Sequence, residues 1–165
     1  LETEHYRELL NTLKFKELEQ AFTMMPYSEM QDILHQLAYD QVDEEVDLLV
    51  YTFFQSLLLG QESASINMSI SVLMGTILNH VHNAESVGLF HGLRAAELQP
   101  EDIDILEFLL YYNHLPEKLL SDSDAIAFAR KVLLKRPECI AAQMTLGENK
   151  LLVVVKSRFR LVSKK

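Results

Sequence analysis

The sequence predicts an all-α fold, antiparallel helical hairpins stacked as a short α-solenoid, on three observations. Glycine and proline are scarce, at five and four of 165 residues, while Leu, Ala, Glu, Met and Gln are frequent, a composition that favours helices over a turn-rich sheet. Apolar residues recur at helical spacing along most of the chain. Between Ser86 and Pro137, two alanine-bearing amphipathic segments each run into a proline, at Pro100 and Pro137, 37 residues apart. That is the punctuation of a helical-hairpin repeat. At this length a single domain over 1–165 is expected, burying roughly 70% of the surface its unfolded chain exposes.

In chain order, Tyr6, Leu9, Leu10 and Leu13 form a stripe at i, i+3, i+4 and i+7 in a first helix from Glu4 to Leu13. A second helix carries Phe15, Leu18 and Phe22 on one face and ends before Pro26, which biases Met25 away from helical geometry. Ser28-Glu29-Met30-Gln31 fits a capping box, so a third helix starts at Ser28 and runs to about Tyr39. Asp40-Gln41-Val42-Asp43 reads as a turn with a capping acid, followed by a helix from Glu44 to Leu59 with Gly60 at C′. That helix is apolar nearly all round, which predicts a central position. Ser63-Ala64-Ser65 opens the next, weakened at Gly75 and reaching Asn79 or Val81; Asn83 then caps a helix over Ala84–Leu98 that Pro100 stops. Its partner spans Glu101 to Tyr112, with Ile103, Leu106, Leu109 and Leu110 inward. Beyond Pro116, Ser121 and Asp124 resemble a capping pattern ahead of a helix over Ala125–Arg136, and a short last helix runs from Glu138 to Leu146. Residues 148–165 are a basic tail. The β-branched run at Leu151–Val155 leaves it open between a strand, an irregular tail and, less favoured, a helix.

The net charge is −9, and its distribution is uneven. Leu1 to Ser121 hold 20 acidic and 5 basic residues, whereas Asp122 to Lys165 hold 4 acidic and 10 basic. Such an acidic surface disfavours nucleic acid and anionic membrane and speeds encounter with a basic partner. Acids also simply keep a helical protein in solution. The longest apolar runs, around Leu48–Leu59 and Ile66–Leu78, fall short of the ~20 residues that span a bilayer. A lone cysteine, Cys139, makes no intrachain disulfide and is expected as a small buried apolar residue. With no secretory signal at the start, a reducing intracellular setting is expected; because the first residue is Leu, a removed leader stays open.

No motif in the chain predicts an enzyme, a metal or a cofactor. His80 and His82 would stand about 200° apart on a continuous helix, and His91 about 16 Å along it, so all three are expected as capping or surface residues. No Gly-x-Ser-x-Gly, Cys/His signature or phosphate-binding glycine loop is present, and no local feature selects a pair among the 24 acids. Two constellations stand out instead. Glu44, Asp47 and Tyr51 fall at i, i+3 and i+7, and Asp104, Glu107 and Tyr111 repeat that spacing. Each places two carboxylates beside an aromatic with a polar tip, a face suited to an arginine-bearing protein. Acids in a first helical turn are equally explained by the helix dipole. The basic residues Lys150, Lys156, Arg158, Arg160, Lys164 and Lys165 read as a solvated tail, with contact to nucleic acid or to the chain's own acidic face as alternatives.

Ala95-Ala96-x-Leu98-x-Pro100 resembles the end of a second tetratricopeptide helix, and the 37-residue proline spacing is near that family's period of about 34. There is no Trp, no Leu-Gly pair in the first helix of the repeat, and no such register in the earlier half, so the likeness is confined to the C-terminal half. Further stretches, Phe22-Thr23-Met24-Met25-Pro26, Leu37-Ala38-Tyr39-Asp40, Glu97-Leu98-Gln99-Pro100-Glu101-Asp102 and Pro116-Glu117-Lys118-Leu119-Leu120, extend the comparison. Taken together, the chain from about Leu13 to Pro137 resembles the small helical immunity proteins of bacterial toxin–immunity systems, including the contact-dependent inhibition type. The resemblance implies a cytoplasmic antidote that covers the active or substrate-binding surface of one cognate toxin domain, a basic nuclease being the expected partner. The alternative expectation is a tetratricopeptide-like adaptor or chaperone that binds a peptide.

Overall fold

Short helices joined by polar turns make up most of what the computed structural model describes, residues 2–40 and 45–147. They are α1 (Glu2–Asn11), α2 (Phe15–Phe22), α3 (Tyr27–Leu37), α4 (Leu49–Gly60), α5 (Ala64–Gly75), α6 (Ala84–Leu98), α7 (Ile103–His114), α8 (Asp122–Lys135) and α9 over 140–147. The fold is all-α, as the composition predicts. Its one extended feature among the described residues is a two-residue antiparallel pairing of β1 (Tyr39–Asp40) with β2 (Glu45–Val46), Tyr39 opposite Val46. The chain divides into two compact units, Leu1–Leu98 and Gln99–Lys165.

The first unit is built around α4, which packs on α1, α2, α3 and α5, the central position its all-round apolar sequence predicts. Val50, Phe53 and Phe54 of α4 are fully buried. Phe53 meets Phe15 edge-on at 5.6 Å between centroids and Phe22 at 6.1 Å, and Tyr6 lies 4.9 Å from Phe22, so one aromatic cluster ties α1, α2 and α4. Leu34, Leu37, Ile70, Leu73 and Leu78 complete the core. The most extensive pairing is α5 with α6. Small buried residues on both helices, Ser71 and Gly75 on one and Gly88, Gly92 and Ala95 on the other, let the two backbones approach closely.

Several expected boundaries move, each for a local reason. Helix α4 begins at Leu49 rather than Glu44, because β2 occupies Glu45–Val46 and the Asp47 carboxylate accepts from the Leu49 amide at 2.7 Å. Gly60 is accordingly the last residue of α4, with Gln61 as its extended C-cap. In the expected turn, Asp40 belongs to β1, and residues 41–43 lie outside the described residues. Helix α3 starts at Tyr27, and Ser28 falls inside its first turn instead of capping it. The carbonyl of Pro26 takes the amides of Glu29 and Met30 at 3.0 and 3.1 Å. Helix α5 stops at Gly75 and gives way to turns that still bury Leu78. Ser63 caps α5 as expected, accepting from the Ile66 amide at 3.2 Å, and α6 starts after Asn83, which takes a left-handed φ of 64° that Asn tolerates. Helix α1 ends at Asn11, so Leu13 leaves the apolar stripe: it is 60% exposed, at φ 57°.

In the second unit α7 packs on α8. Asp102 caps α7, accepting from Asp104 N at 2.9 Å, so the helix runs two residues later than expected, Ile103–His114. Ser121 caps α8 by accepting from Asp124 N at 3.1 Å, the predicted pattern, and the helix opens at Asp122 and closes at Lys135. Ile105, Leu106, Leu109, Leu110 and Tyr112 are buried, as are Ala125, Ala129, Val132, Ala142 and, as expected, Cys139. Ile103, expected inward, is half-buried. Asn113, fully enclosed, donates to the Leu120 carbonyl and to Asp122 at 2.9 Å each and fastens the α7–α8 connection. The tail 148–165 lies outside the described residues.

Two substitutions test this picture. Phe53→Ala removes the α4 ring of that aromatic cluster and costs about 3–5 kcal/mol in urea unfolding; a loss below about 1 kcal/mol overturns its central role. Leu13→Gly relieves a left-handed leucine and raises stability by about 0.5–1 kcal/mol, and an unchanged or lowered midpoint contradicts the strain.

Candidate functional site

Of the two constellations, the one on α7 keeps its predicted geometry. Asp104 lies in the first turn of α7, Glu107 and Tyr111 follow at i+3 and i+7, and all three are on the helix. The C-cap residue of α8, Arg136, spans the two acids: one guanidinium nitrogen donates to Glu107 at 2.8 Å and another to Asp104 at 2.5 Å. These hydrogen bonds, to Asp104 first and Glu107 second, hold Arg136 protonated more firmly than a free arginine. The acids stay open to solvent, with 77% of the Asp104 side chain and 36% of Glu107 exposed. One turn earlier, Lys131 donates to the Glu101 carboxylate at 2.9 Å and to the Pro100 carbonyl at 3.1 Å, and so lowers the Glu101 pKa. Tyr111 is half-buried, packed on Tyr112 at 5.1 Å and Phe108 at 6.1 Å between ring centroids.

Arg136 and Lys131 are the residues sequence reasoning passed over. The sequence offered a slight signal: Arg136 follows Asp104 by 32 residues and Lys131 follows Glu101 by 30, near the tetratricopeptide period of about 34. Its meaning depended on α8 lying against α7.

The other constellation does not form the helical face expected of it. Glu44 lies outside the described residues, and Asp47 precedes α4, its carboxylate occupied by the Leu49 amide. Tyr51 is on α4 but is half-buried against the core, its ring edge-on to His91 at 6.1 Å, and burial raises its phenol pKa. The separation has a physical cause: β-pairing at Glu45–Val46 ends any helical register between Asp47 and what precedes it.

The histidines also divide. His80 and His82 are exposed, as expected, but His91 is buried between Asn67 and Gln55, which corrects its reading as a surface or capping residue. Beside it, Arg94 binds both oxygens of Glu62 at 2.8 Å and Glu97 at 2.8 Å, and its hydrogen bonds lower the Glu62 pKa. Among the described residues no group of three His, Cys, Asp or Glu side chains is arranged to hold a metal ion. An open pocket of about 540 Å³ is lined by Glu19, Leu57, Gly60, Gln61, Ser63 and Ile66, with a single carboxylate and no facing base. No helix among the described residues is long and apolar enough to cross a membrane.

Comparison of the chain with protein-family models, with curated proteins and with solved structures returns no match.

Asp47 provides a direct check on cap against contact. Asp47→Ala leaves the Leu49 amide without its acceptor and costs about 1 kcal/mol in thermal or urea unfolding, while Asp47→Asn retains most of that stability. Equal stability of all three proteins removes the capping role.

Proposed function

We propose that the chain is an immunity protein that binds a cognate bacterial toxin domain in the cytoplasm and covers its active or substrate-binding surface. The observation that carries this reading is the α7 face, where Asp104 and Glu107 converge on one guanidinium. Two carboxylates at that separation are matched to an arginine, and Arg136 occupies the position an arginine of a basic partner, such as a nuclease, would take. The likeness of Leu13–Pro137 to helical immunity proteins supplies the partner class, and the chain's charge of −9 favours fast encounter with a basic surface. In this reading the chain performs no reaction of its own, needs no cofactor or metal, and touches neither nucleic acid nor membrane directly. The pairing of α7 with α8 supports reading the second unit as a hairpin of a short tetratricopeptide-like α-solenoid. In the first unit α4 contacts α1 and α2, which are not its chain neighbours, so the nearest-neighbour stacking of a solenoid is limited to the second unit in this reading.

Affinity capture from the native host, followed by association kinetics with the captured toxin domain, tests the proposal. Charge reversal by Asp104→Lys with Glu107→Lys slows association roughly tenfold or more at low salt and leaves the helical circular-dichroism spectrum intact. Arg136→Ala, which frees the same carboxylates, speeds it. Capture of short peptides at micromolar affinity without a folded partner favours the adaptor; unchanged kinetics in both variants removes α7 as the contact.

A further inference from the structure

His91 of α6 is buried, 5% exposed, and both of its ring nitrogens face a side-chain amide. Nδ1 lies 2.8 Å from Asn67 Oδ1 on α5, and Nε2 lies 3.1 Å from Gln55 Nε2 on α4. Asn67 has no freedom to turn, because its amide nitrogen donates to the Ser63 carbonyl at 3.1 Å and to Glu62 at 3.4 Å. Its oxygen therefore faces the imidazole, the hydrogen of the neutral ring sits on Nδ1, and Nε2 is left to accept from Gln55. One orientation satisfies every member of the chain Gln55, His91, Asn67 and Glu62.

The surroundings set what a second proton does. Helix α4 contributes the Tyr51 ring at 6.1 Å and Gln55; the α4–α5 connection contributes Glu62; α5 contributes Asn67; α6 itself contributes Phe90 at 5.2 Å and Arg94 one turn on. Glu62 is the charged group that favours protonation, and it is already bound through two hydrogen bonds by Arg94, which also holds Glu97. Burial opposes protonation and outweighs Glu62, so the imidazole is harder to protonate than a free histidine. A proton arriving at Nε2 turns that atom into a donor aimed at the Gln55 amide, which is also a donor. Asn67 is fixed, so Gln55 is the member that must turn its amide or leave the imidazole; it is half-buried and carried by the helix at the centre of the unit.

We propose that His91 is a proton-operated latch that fastens α4 to the α5–α6 pair when neutral and releases the Gln55 side when protonated at Nε2. The stabilisation is fully present above the unfolded histidine pKa of about 6.5 and is lost as pH falls from there through the lower folded value. His35 adds to any bulk pH curve in the same direction, since burial also lowers its pKa against the opposing effect of Asp32. The test is therefore site-resolved. Ring nitrogen and carbon resonances of His91 are followed by NMR from pH 8 to 5 in the full chain, together with amide hydrogen exchange of α4 corrected for intrinsic rates. The wild type shows the Nδ1–H tautomer, a midpoint below about 6.5, and α4 protection that falls several-fold at the acid end relative to α1. Gln55→Glu gives Nε2–H an acceptor, so it raises the His91 midpoint and abolishes the acid-induced loss in α4. The opposite tautomer, a wild-type midpoint at or above about 6.5, or α4 protection that does not change with pH overturns the latch whatever the variant does.

Discussion

The first unit depends on the burial of one phenylalanine. Phe53 has no exposed surface and touches two rings of α2, Phe15 and Phe22, the second of which meets Tyr6 of α1. Short helices such as α2, eight residues long, are marginal alone in water, so their stability comes from the apolar face they bury. Phe53 supplies the partner for those faces and makes α4 the element against which the others align.

The opposite half of that unit solves a different problem. The contact of α5 with α6 uses small residues, and close backbones leave no room for large apolar chains to shield polar ones. Asn67, Ser69, Ser71 and His91 are all buried, and a buried polar group without a partner costs about as much as a good hydrogen bond provides. Ser69 meets Tyr27 of α3 at 2.7 Å, while Asn67 and His91 satisfy each other. The network that results is specific because the Asn67 amide is held in one orientation by Ser63 and Glu62. The same specificity makes it sensitive to a single proton.

Electrostatics in the second unit are partly internal. The sequence separates an acidic stretch from a basic one, and the fold brings members of both together: Lys131 with Glu101, and Arg136 with Asp104 and Glu107. Exposed pairs of this kind add little to stability, because water and salt screen them and two long side chains lose freedom. Under the proposed function, the acidic face that holds Arg136 gives it up for an arginine of the basic partner.

Local sequence determined the helical class, the caps at Ser63 and Ser121, the span of α6 from Ala84 to Leu98 and the burial of Cys139. These follow from spacing within a turn or two, where side chain, backbone amide and apolar stripe are neighbours in the chain. Tertiary structure decided where α4 begins: the sequence places a capping acid in the turn over 40–43, and pairing at Glu45–Val46 instead delays the helix to Leu49. It decided that His91 is enclosed, and that Arg136 answers Asp104 and Glu107. Each of those contacts joins residues 24 to 36 positions apart, a separation at which helical periodicity carries no information and packing alone selects the partner.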